Sequence, residues 1–335
     1  MSANQNRRPP RSLLRISLRA LLVLVLLTGG WMGWLVQSAR TQRAAVAAIQ
    51  RSNGYVEYEW DITNPARKPG GEPLWPTWLV DRLGVDYFYK VVAVDLDDRA
   101  TDLDLVRVGN LTKLRSLQLS RSQVTDAGLE YLQGLTSLKR LTLRVTGVTD
   151  AGLAHLQGLT SLEELRLGST GCGDAGLAHL SALPRLRILG LGNTQVTTDG
   201  LARLKVSNRL EELVLGGTRV TDDDMAHLKV MTNLRSLRLN GADLTDDGLA
   251  HLSALPRLKI LGLGKTKVTA SGLTRLFAAT GLQELVLAGT SVTDDEVVRL
   301  KGMTGLKSLS LVRTSVTSEG VDALQQALPD LAIRH

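Results

Sequence analysis

Residues 114–132, LRSLQLSRSQVTDAGLEYL, contain the pattern that decides the fold. Leu117 and Leu119 are two residues apart, the spacing at which side chains of a β-strand point to the same face. Leu129 and Leu132 are three residues apart, the spacing at which side chains share one face of a helix. This stretch therefore predicts one short strand followed by one short helix.

The same pattern returns every 24 residues. Nine units read L-x-x-L-x-L, and all 27 of those positions are leucine. The units begin at Leu114, Leu138, Leu162, Leu186, Leu210, Leu234, Leu258, Leu282 and Leu306. A degenerate unit (residues 92–106) precedes them, and residues 328–333 begin a truncated last strand. A fixed period of this length predicts a solenoid in which each unit adds one parallel strand and one helix.

One further position of the unit is expected to face the interior. The fifth residue after the third leucine is apolar in every unit, and Cys172 occupies it in the third. Because this register is that of a packing residue, we expect Cys172 to be buried and unreactive. It is the only cysteine, which excludes an intramolecular disulfide.

Hydroxyl and carboxylate side chains recur where the strand leads into the helix. Thr or Ser stands two residues before the apolar position in eight units, and we expect its hydroxyl to satisfy backbone groups at the turn. These residues are Ser122, Thr146, Thr170, Thr194, Thr218, Thr266, Thr290 and Thr314. The Thr-Asp pair that begins most of the helices, as in Thr125-Asp126, is expected to cap them, through the side chain of either Thr or Asp. The aspartates are therefore predicted to be structural.

The complete unit, L-x-x-L-x-L-x-x-T-x-V-T-D-x-G-L-x-x-L, resembles bacterial membrane-anchored leucine-rich-repeat proteins with GALA-like or ribonuclease-inhibitor-like repeats. It is also similar to the cysteine-containing repeats of F-box substrate receptors, but threonine stands where those have cysteine. The resemblance covers about residues 90 to 333. It implies an α/β right-handed horseshoe, with parallel strands on the concave face and short helices on the convex face.

A longer repeat bears on catalysis. Residues 162–233 and 234–305 are two blocks of three units each, and GLAHLSALPRL at 176–186 recurs unchanged at 248–258. An enzyme needs one converging set of residues, whereas a duplication copies each candidate along a line. We therefore predict a non-catalytic binding scaffold without a cofactor. An F-box-like substrate receptor or signalling adaptor is the alternative, although no F-box is present in the sequence.

The N-terminal segment carries the positive charge of the chain. Residues 1–51 contain eight arginines and no acidic residue, so they carry +8 against +7 for the whole chain, and the remainder sums to −1. The repeat region is therefore not expected to bind nucleic acid. Residues 20–36 are uncharged, and Trp31 and Trp34 suit a membrane interface, with Arg19 extending the apolar segment.

These features predict four regions. Residues 1–17 form a basic cytoplasmic N-terminus, 18–36 a transmembrane signal anchor, 37–90 a juxtamembrane helix and N-terminal cap, and 91–335 the repeat domain. The excess of arginine before the apolar segment places the repeat domain outside the cytoplasm. A cleaved signal peptide is the alternative, but residues 37–39 match a cleavage site poorly.

The concave face is the expected binding surface, since it presents the outward residues of every strand. The candidate residues are Arg121, Arg140, Arg144, Arg166, Arg238, Val214 and Val286. The arginines suit an acidic protein or an anionic glycan, and ordinary solvated surface is the alternative. The glycines of Gly190-Leu191-Gly192 and Gly262-Leu263-Gly264 predict a shallow floor on this face.

Two other features have a structural and a functional interpretation. His155, His179, His227 and His251 occupy one register on the helix side, but their spacing along the solenoid does not predict a metal site. Residues 38–90 hold most of the tyrosines and tryptophans, with a strand expected at 55–60 and a helix at 75–90. They are expected to cover the open end of the solenoid. A small binding module of their own is the alternative.

Overall fold

A computed structural model describes residues 18–59, 75–204, 208–275 and 281–335. The side chains of residues 18–22, 77, 198 and 270 are outside the described set, and so is the predicted cytoplasmic segment, residues 1–17. In the described ranges the strands form one sheet whose order follows the chain. This is the architecture that the 24-residue period predicts.

The sheet contains twelve strands in the described part of the chain. The first two, β1 (Tyr55–Tyr58) and β2 (Val91–Asp95), are antiparallel, and every later neighbour is parallel. The others are β3 (Ser116–Gln118), β4 (Arg140–Thr142), β5 (Glu164–Arg166), β6 (Ile188–Gly190), β7 (Glu212–Val214), β8 (Ser236–Arg238), β9 (Ile260–Gly262), β10 (Glu284–Val286), β11 (Ser308–Ser310) and β12 (Ala332–Arg334). The last strand, β12, confirms the strand predicted for the truncated end.

Helices alternate with these strands. The long first helix is α1 (Leu18–Arg51), and α2 (Thr77–Leu83) follows β1. The repeat helices are α3 (Asp102–Val108), α4 (Asp126–Leu129), α5 (Asp150–Leu153), α6 (Asp174–Leu180), α7 (Thr198–Arg203), α8 (Met225–Leu228), α9 (Asp246–Leu252), α10 (Ala270–Thr274), α11 (Asp294–Val297) and α12 (Ser318–Ala327). Several continue as a 3₁₀ turn.

Equivalent leucines align along the sheet and form the core. Leu117 pairs with Leu141, and Leu141 with Leu165, in the register that continues from β3 to β11. These side chains are fully buried. Burial of one such leucine contributes roughly 1.5–3 kcal/mol. Cys172 lies in the same core and is fully buried, as its register predicts.

The Thr and Ser hydroxyls two residues before the apolar position, which we call the hydroxyl ladder, contact the backbone in all eight units where the sequence predicts it. Each hydroxyl donates to the carbonyl oxygen of the third leucine of its own unit, at 2.6 to 2.8 Å. Just after this leucine the chain turns through a left-handed residue, for example Val145 with φ 58° and Asn193 with φ 55°. The ladder therefore fixes the point at which each strand ends.

The aspartates have a different partner from the one expected. Thr149, Thr245 and Thr269 cap their own helices. Where an aspartate follows the threonine, its carboxylate reaches the next unit. Asp126, for example, accepts hydrogen bonds from the backbone N–H and the Oγ1 of Thr149, at 2.7 and 2.6 Å. The threonine caps are thus confirmed at these three helices, whereas the aspartate carboxylates hydrogen-bond to the following unit. The carboxylate joins consecutive units.

Glycine at the fourth place of T-D-x-G makes room for this contact. A Cβ on Gly152 would collide with Oδ1 of Asp126. Two junctions lack the aspartate, because Thr198 and Ala270 stand there in the sequence. In the unit after each, the glycine is replaced by Asp224 or Glu296, which accepts a hydrogen bond from the threonine N–H of its own unit. The acidic residue at the glycine position thus accepts the hydrogen bond that the aspartate of the preceding unit accepts at the other junctions.

Helix α1 joins two segments that the sequence analysis treats separately. It continues through the predicted anchor and the juxtamembrane region as one helix of 34 residues, about 51 Å long. Its side chains from Val23 to Trp34 are exposed, and Trp31 and Trp34 are each about three-fifths exposed. Arg19 lies in the first turn, where side chains are not described. Among the described residues, no helix is both long enough and apolar enough to cross a bilayer.

The second half of α1 packs on the cap. Ala45, Val46 and Ile49 are buried in the same core as the repeat leucines. Gln42 is buried and donates to Oδ1 of Asp86 at 2.9 Å, while its own oxygen accepts from the N–H of Val91 at 3.3 Å. These contacts hold α1 against the first strands of the sheet. The expected covering of the open end therefore includes α1.

The aromatic part of the cap is less enclosed than expected. Trp75 packs beside Phe88 with ring centroids 5.4 Å apart, but it remains half exposed. Trp78 is two-thirds exposed. The predicted strand at 55–60 is present as β1, and the predicted helix at 75–90 is the shorter α2 followed by a 3₁₀ turn, Val85–Tyr87.

Candidate functional site

The concave face carries a depression of about 360 Å³ across β5 to β8. Four glycines from three successive units form its floor, and these are Gly168, Gly190, Gly192 and Gly216. We call this cavity the arginine–glycine depression. Its walls are Arg144, Arg166 and Arg238, together with Asn193, Val214 and Asn240. The floor is open because glycine leaves no side chain above the backbone.

Three of the glycines also allow the units to stack closely. A Cβ on Gly168 would lie 3.2 Å from the carbonyl oxygen of Gly192, and one on Gly192 at the same distance from that of Gly216. A Cβ on Gly216 would come within 2.7 Å of the oxygen of Asn240. Gly190 differs, because a Cβ there would make ordinary contacts with Arg166 at 3.5 Å or more. A side chain at position 190 would therefore fill the depression without forcing the strands apart.

Arg166 is fixed by two carboxylates. Its Nε lies 2.5 Å from Oε1 of Glu164, and its Nη1 lies 3.7 Å from Oε1 of Glu212. All three side chains are partly buried, at 19 to 31% exposed. The positive charge of Arg166 is thus balanced within the protein, and its role in the depression is to shape the wall.

Arg144 and Arg238 have no such partner. In the part of the chain that the structure describes, neither guanidinium has a carboxylate within ion-pair distance. Both residues are exposed, and they stand on opposite sides of the glycine floor. The sequence could not distinguish these two arginines from Arg166, because the difference depends on which carboxylates reach each guanidinium.

Arg140 belongs to a different cavity, of about 400 Å³, nearer the beginning of the strands. That cavity is lined by ion-paired residues, including Arg187, whose Nη2 lies 2.8 Å from Oε1 of Glu211. The Arg187 guanidinium hydrogen-bonds to Glu211 and holds the pKa of that carboxyl below its ordinary value. The same bond raises the pKa of Arg187. This neighbouring cavity is lined by three arginines and four glutamates, whereas the lining of the arginine–glycine depression includes no carboxylate.

The remaining candidates lie apart from the depression. Arg121 is exposed at the left-handed turn after β3, and Val286 is partly buried on β10. Neither lines the depression. Of the seven residues proposed from sequence, the structure brings together Arg144, Arg166, Val214 and Arg238. The two asparagines, Asn193 and Asn240, were missed, although each lies just after a strand, as the predicted residue Arg144 does.

The residues with the strongest chemical character lie away from this site. Burial and the nearby Asp150 and Asp174 raise the pKa of Cys172 to about 12. On the helix side, Nδ1 of His155 hydrogen-bonds to the side chain of Gln133 at 2.5 Å, and His179 contacts Gln157 in the same way at 2.6 Å. In the described ranges, no group of three or more His, Cys, Asp or Glu side chains is arranged to hold a metal ion.

Comparisons with known proteins agree with this architecture. A family model described as a leucine-rich repeat matches residues 110–132 and 230–253. No curated protein sequence matches the chain. The repeats that the sequence analysis identifies are therefore leucine-rich repeats, and the fold is an α/β solenoid.

Among solved structures, the internalin inlF from Listeria monocytogenes is similar, with 22% identity and a TM-score of 0.52 over 68% of this chain and 69% of that one. The internalin inlC2 from the same organism has 26% identity and a TM-score of 0.48, over 56% of this chain and 77% of that one. The plant peptide hormone receptor RGFR1 in complex with RGF2 has 15% identity and a TM-score of 0.42, over 68% and 36%. The first likeness supports the fold.

Proposed function

We propose that this chain is a non-catalytic scaffold that recognises a protein through the concave face of its leucine-rich-repeat solenoid. The observation that carries the proposal is the arginine–glycine depression, where Arg144 and Arg238 lack an ion pair in the described chain and flank a floor of glycines. A cation without a carboxylate partner is available to a ligand's acidic group. A floor without side chains lets a ligand approach the backbone closely.

The titratable groups also favour binding over catalysis. A nucleophilic cysteine needs a thiolate, and burial of Cys172 opposes its formation at neutral pH. His155 and His179 lie on the helix side, across the sheet from the depression, and each has a glutamine as its hydrogen-bond partner. We find no nucleophile and base converging on the depression, whose lining residues are arginine, asparagine, glycine and valine.

We further propose that α1 tethers the scaffold to a membrane, with the repeat domain on the extracytoplasmic side. The proposed anchor, residues 18–36, begins before the side chains that the structure describes and includes the exposed apolar stretch from Val23 to Trp34. Eight exposed large apolar side chains on one helix need a cover other than water. The arginines of residues 1–19 support a cytoplasmic N-terminus.

A topology assay tests this placement. A reporter that is active only outside the cytoplasm, fused after His335 of the full chain, is expected to be active. A silent reporter, with activity from a cytoplasmic reporter at the same position, would contradict the placement. That result would favour a cytoplasmic adaptor, the role of the F-box-like receptors that the repeats resemble.

Site-specific photo-crosslinking tests the binding face. A photoreactive amino acid at position 144 of the full chain, in the native host, is expected to capture a protein partner. The same amino acid at the exposed position 299, which follows α11 on the helix side, is the matched control. Partners captured at position 299 and not at 144 would contradict recognition by the concave face.

A further inference from the structure

The arginine–glycine depression is flanked by two arginines that have no ion pair in the described chain, and its lining includes no carboxylate. We infer that it binds an extended acidic peptide segment, with one carboxylate at Arg144 and a second at Arg238. This inference rests on the proposed binding function and names the class of ligand.

The two arginines are separated by a distance that an extended peptide spans. Arg144 follows β4 and Arg238 ends β8, so four strand spacings lie between them. At about 4.8 Å per spacing the separation is roughly 19 Å. An extended chain advances about 3.3 Å per residue, so two carboxylates about six residues apart reach both guanidinium groups. Arg144 lies two residues further along the strand register than Arg238, so a ligand that crosses the strands obliquely would meet both arginines.

The floor suits a peptide backbone. Between the arginines, Gly168, Gly190 and Gly192 present no side chain, so the ligand backbone can lie against the sheet. Arg144 lies over the edge of this floor, with its Nε 3.5 Å from the place of a Cβ on Gly168. A polypeptide in this position would contact both the floor and the guanidinium.

The walls supply hydrogen-bond partners for that backbone. Asn240 accepts a hydrogen bond from the N–H of Gly264 at 2.8 Å through its side-chain oxygen, which orients its NH₂ group. Within the described chain, that NH₂ group donates to no other residue. Asn193 stands at the left-handed turn after β6, and its amide can both donate and accept. Two carboxamides beside a glycine floor match the alternating N–H and C=O groups of an extended chain.

An anionic glycan fits these features less well. Sugar rings pack their apolar faces on aromatic side chains, and the residues that line the depression include no aromatic. The one aliphatic side chain on its wall, Val214, is partly buried. The observations therefore favour a peptide, and a glycan becomes one outcome of the test.

The test uses the full chain in detergent and synthetic peptides as probes. The probes are fluorescein-labelled dodecapeptides of Gly and Ser that contain two aspartates separated by one to eight positions. Fluorescence anisotropy at low ionic strength measures the affinity, because screening weakens exposed ion pairs. We expect the tightest binding for a separation of five to seven residues. It should exceed that of adjacent aspartates by about threefold, the size expected for a second exposed ion pair.

Variants assign the effect to the two arginines. Arg144→Gln and Arg238→Gln, which keep most of the side-chain length, are each expected to remove the preference for spacing and to weaken the best peptide by about threefold. Arg299→Gln makes the same change in charge on the helix side and should leave both values unchanged. Affinity that is independent of spacing, or unchanged in Arg144→Gln and Arg238→Gln, would overturn the inference.

The remaining outcomes separate this inference from the proposed function. A sulfated oligosaccharide that binds more tightly than every peptide, and is lost in Arg144→Gln, would replace the peptide by a glycan. If a partner crosslinks at position 144 while no acidic peptide binds, the acidic-peptide inference fails and the scaffold function stands. If crosslinks arise only at position 299, the proposed concave-face function fails as well.

Discussion

The two copies of the duplicated block, residues 162–233 and 234–305, share their core and differ at particular positions of the concave face. Their core leucines are equivalent and fully buried, as at Leu189 and Leu261. On the concave face Glu164, which pairs with Arg166, corresponds to Ser236, and the equivalent Arg238 has no ion pair in the described chain. One substitution on the surface has thus removed the ion pair of an arginine that both copies retain.

A second difference concerns the floor. Gly168 in the first copy corresponds to Asn240 in the second, and the side chain of Asn240 lies close to Gly262 and hydrogen-bonds to Gly264. The floor of the first copy is therefore open, while an asparagine lies over the equivalent place in the second. The site that we propose for recognition therefore lies at the boundary between the copies and includes positions at which they differ.

The junctions between units show a feature that the two copies share. Both copies contain one unit without the connecting aspartate, at Thr198 and Ala270, and both compensate in the next unit, with Asp224 and Glu296. Each copy thus contains both the junction without an aspartate and the acidic residue that compensates for it. The two positions of each such junction therefore differ from the consensus together, in both copies.

The largest effect is expected in the core. Leu189→Ala and Leu261→Ala each leave a cavity in a fully buried site, and each should lower the free energy of unfolding by about 2–5 kcal/mol. Urea unfolding of the full chain, followed by circular dichroism, measures the loss. Similar losses from both variants support interchangeable cores. A loss of stability in only one of the two variants would show that the two cores are not interchangeable.

An intermediate effect is expected at a junction. Asp246 accepts hydrogen bonds from the N–H and the Oγ1 of Thr269, at 2.7 and 2.6 Å, so Asp246→Ala should cost about 1–3 kcal/mol. Gly272→Asp alone should also destabilise, because its side chain would collide with Asp246. The double variant reproduces the arrangement at Asp224, and we expect it to be more stable than either single variant.

Urea unfolding of the two single variants and the double variant measures this coupling. Asp174→Ala, the same change in the first copy, is the matched control and should resemble Asp246→Ala, since Asp174 makes the equivalent bonds to Thr197. Additive losses in the double variant would mean that the acidic residue at the glycine position does not compensate.

The smallest effect is a dependence on acid at the last junction. Hydrogen bonds from the backbone and the side chain of Thr317 hold the pKa of Asp294 below its ordinary value. A lowered folded pKa stabilises the native state above the unfolded pKa, about 3.9, and this contribution is lost as the pH falls through the folded value. Asp294→Asn should therefore have a flatter stability profile below about pH 4 than the native chain.

Hydrogen exchange at the Thr317 amide, followed from pH 5 to pH 3 after correction for the intrinsic rate, measures this dependence. The native chain should lose protection as the acid increases, and Asp294→Asn should show a smaller change. Identical profiles in the two proteins would show that the carboxylate of Asp294 does not govern the acid response.

Much of this architecture follows from the sequence because it depends on local spacing. The strand leucines, the hydroxyl ladder and the burial of Cys172 each follow from a position within one unit. The aspartate contacts did not, because Asp126 meets Thr149 only once two units are stacked. The continuity of α1 was also missed, although Gln37 and Ser38 include no helix breaker.

The sequence predicted the face of the solenoid on which the candidate site lies, but not which of its arginines is ion-paired. The register placed Arg144, Arg166 and Arg238 on the concave side. Which arginine is balanced depends on the conformations of Glu164 and Glu212, which no spacing rule supplies. The glycine floor was visible at Gly190 and Gly192, but its depth depends on the stacking of three units.

The same outward substitution, made inside and outside the depression, tests recognition there. Gly190→Val fills the arginine–glycine depression, while Ser310→Val changes the equivalent strand position of β11, outside its lining. The measurement is the anisotropy affinity for the dodecapeptide with aspartates six residues apart, with urea unfolding as the check on folding. We predict a loss of about tenfold or more for Gly190→Val and less than about twofold for Ser310→Val, with both proteins folded; one tenfold step corresponds to about 1.4 kcal/mol. Equal affinities in the two variants would contradict recognition at the depression.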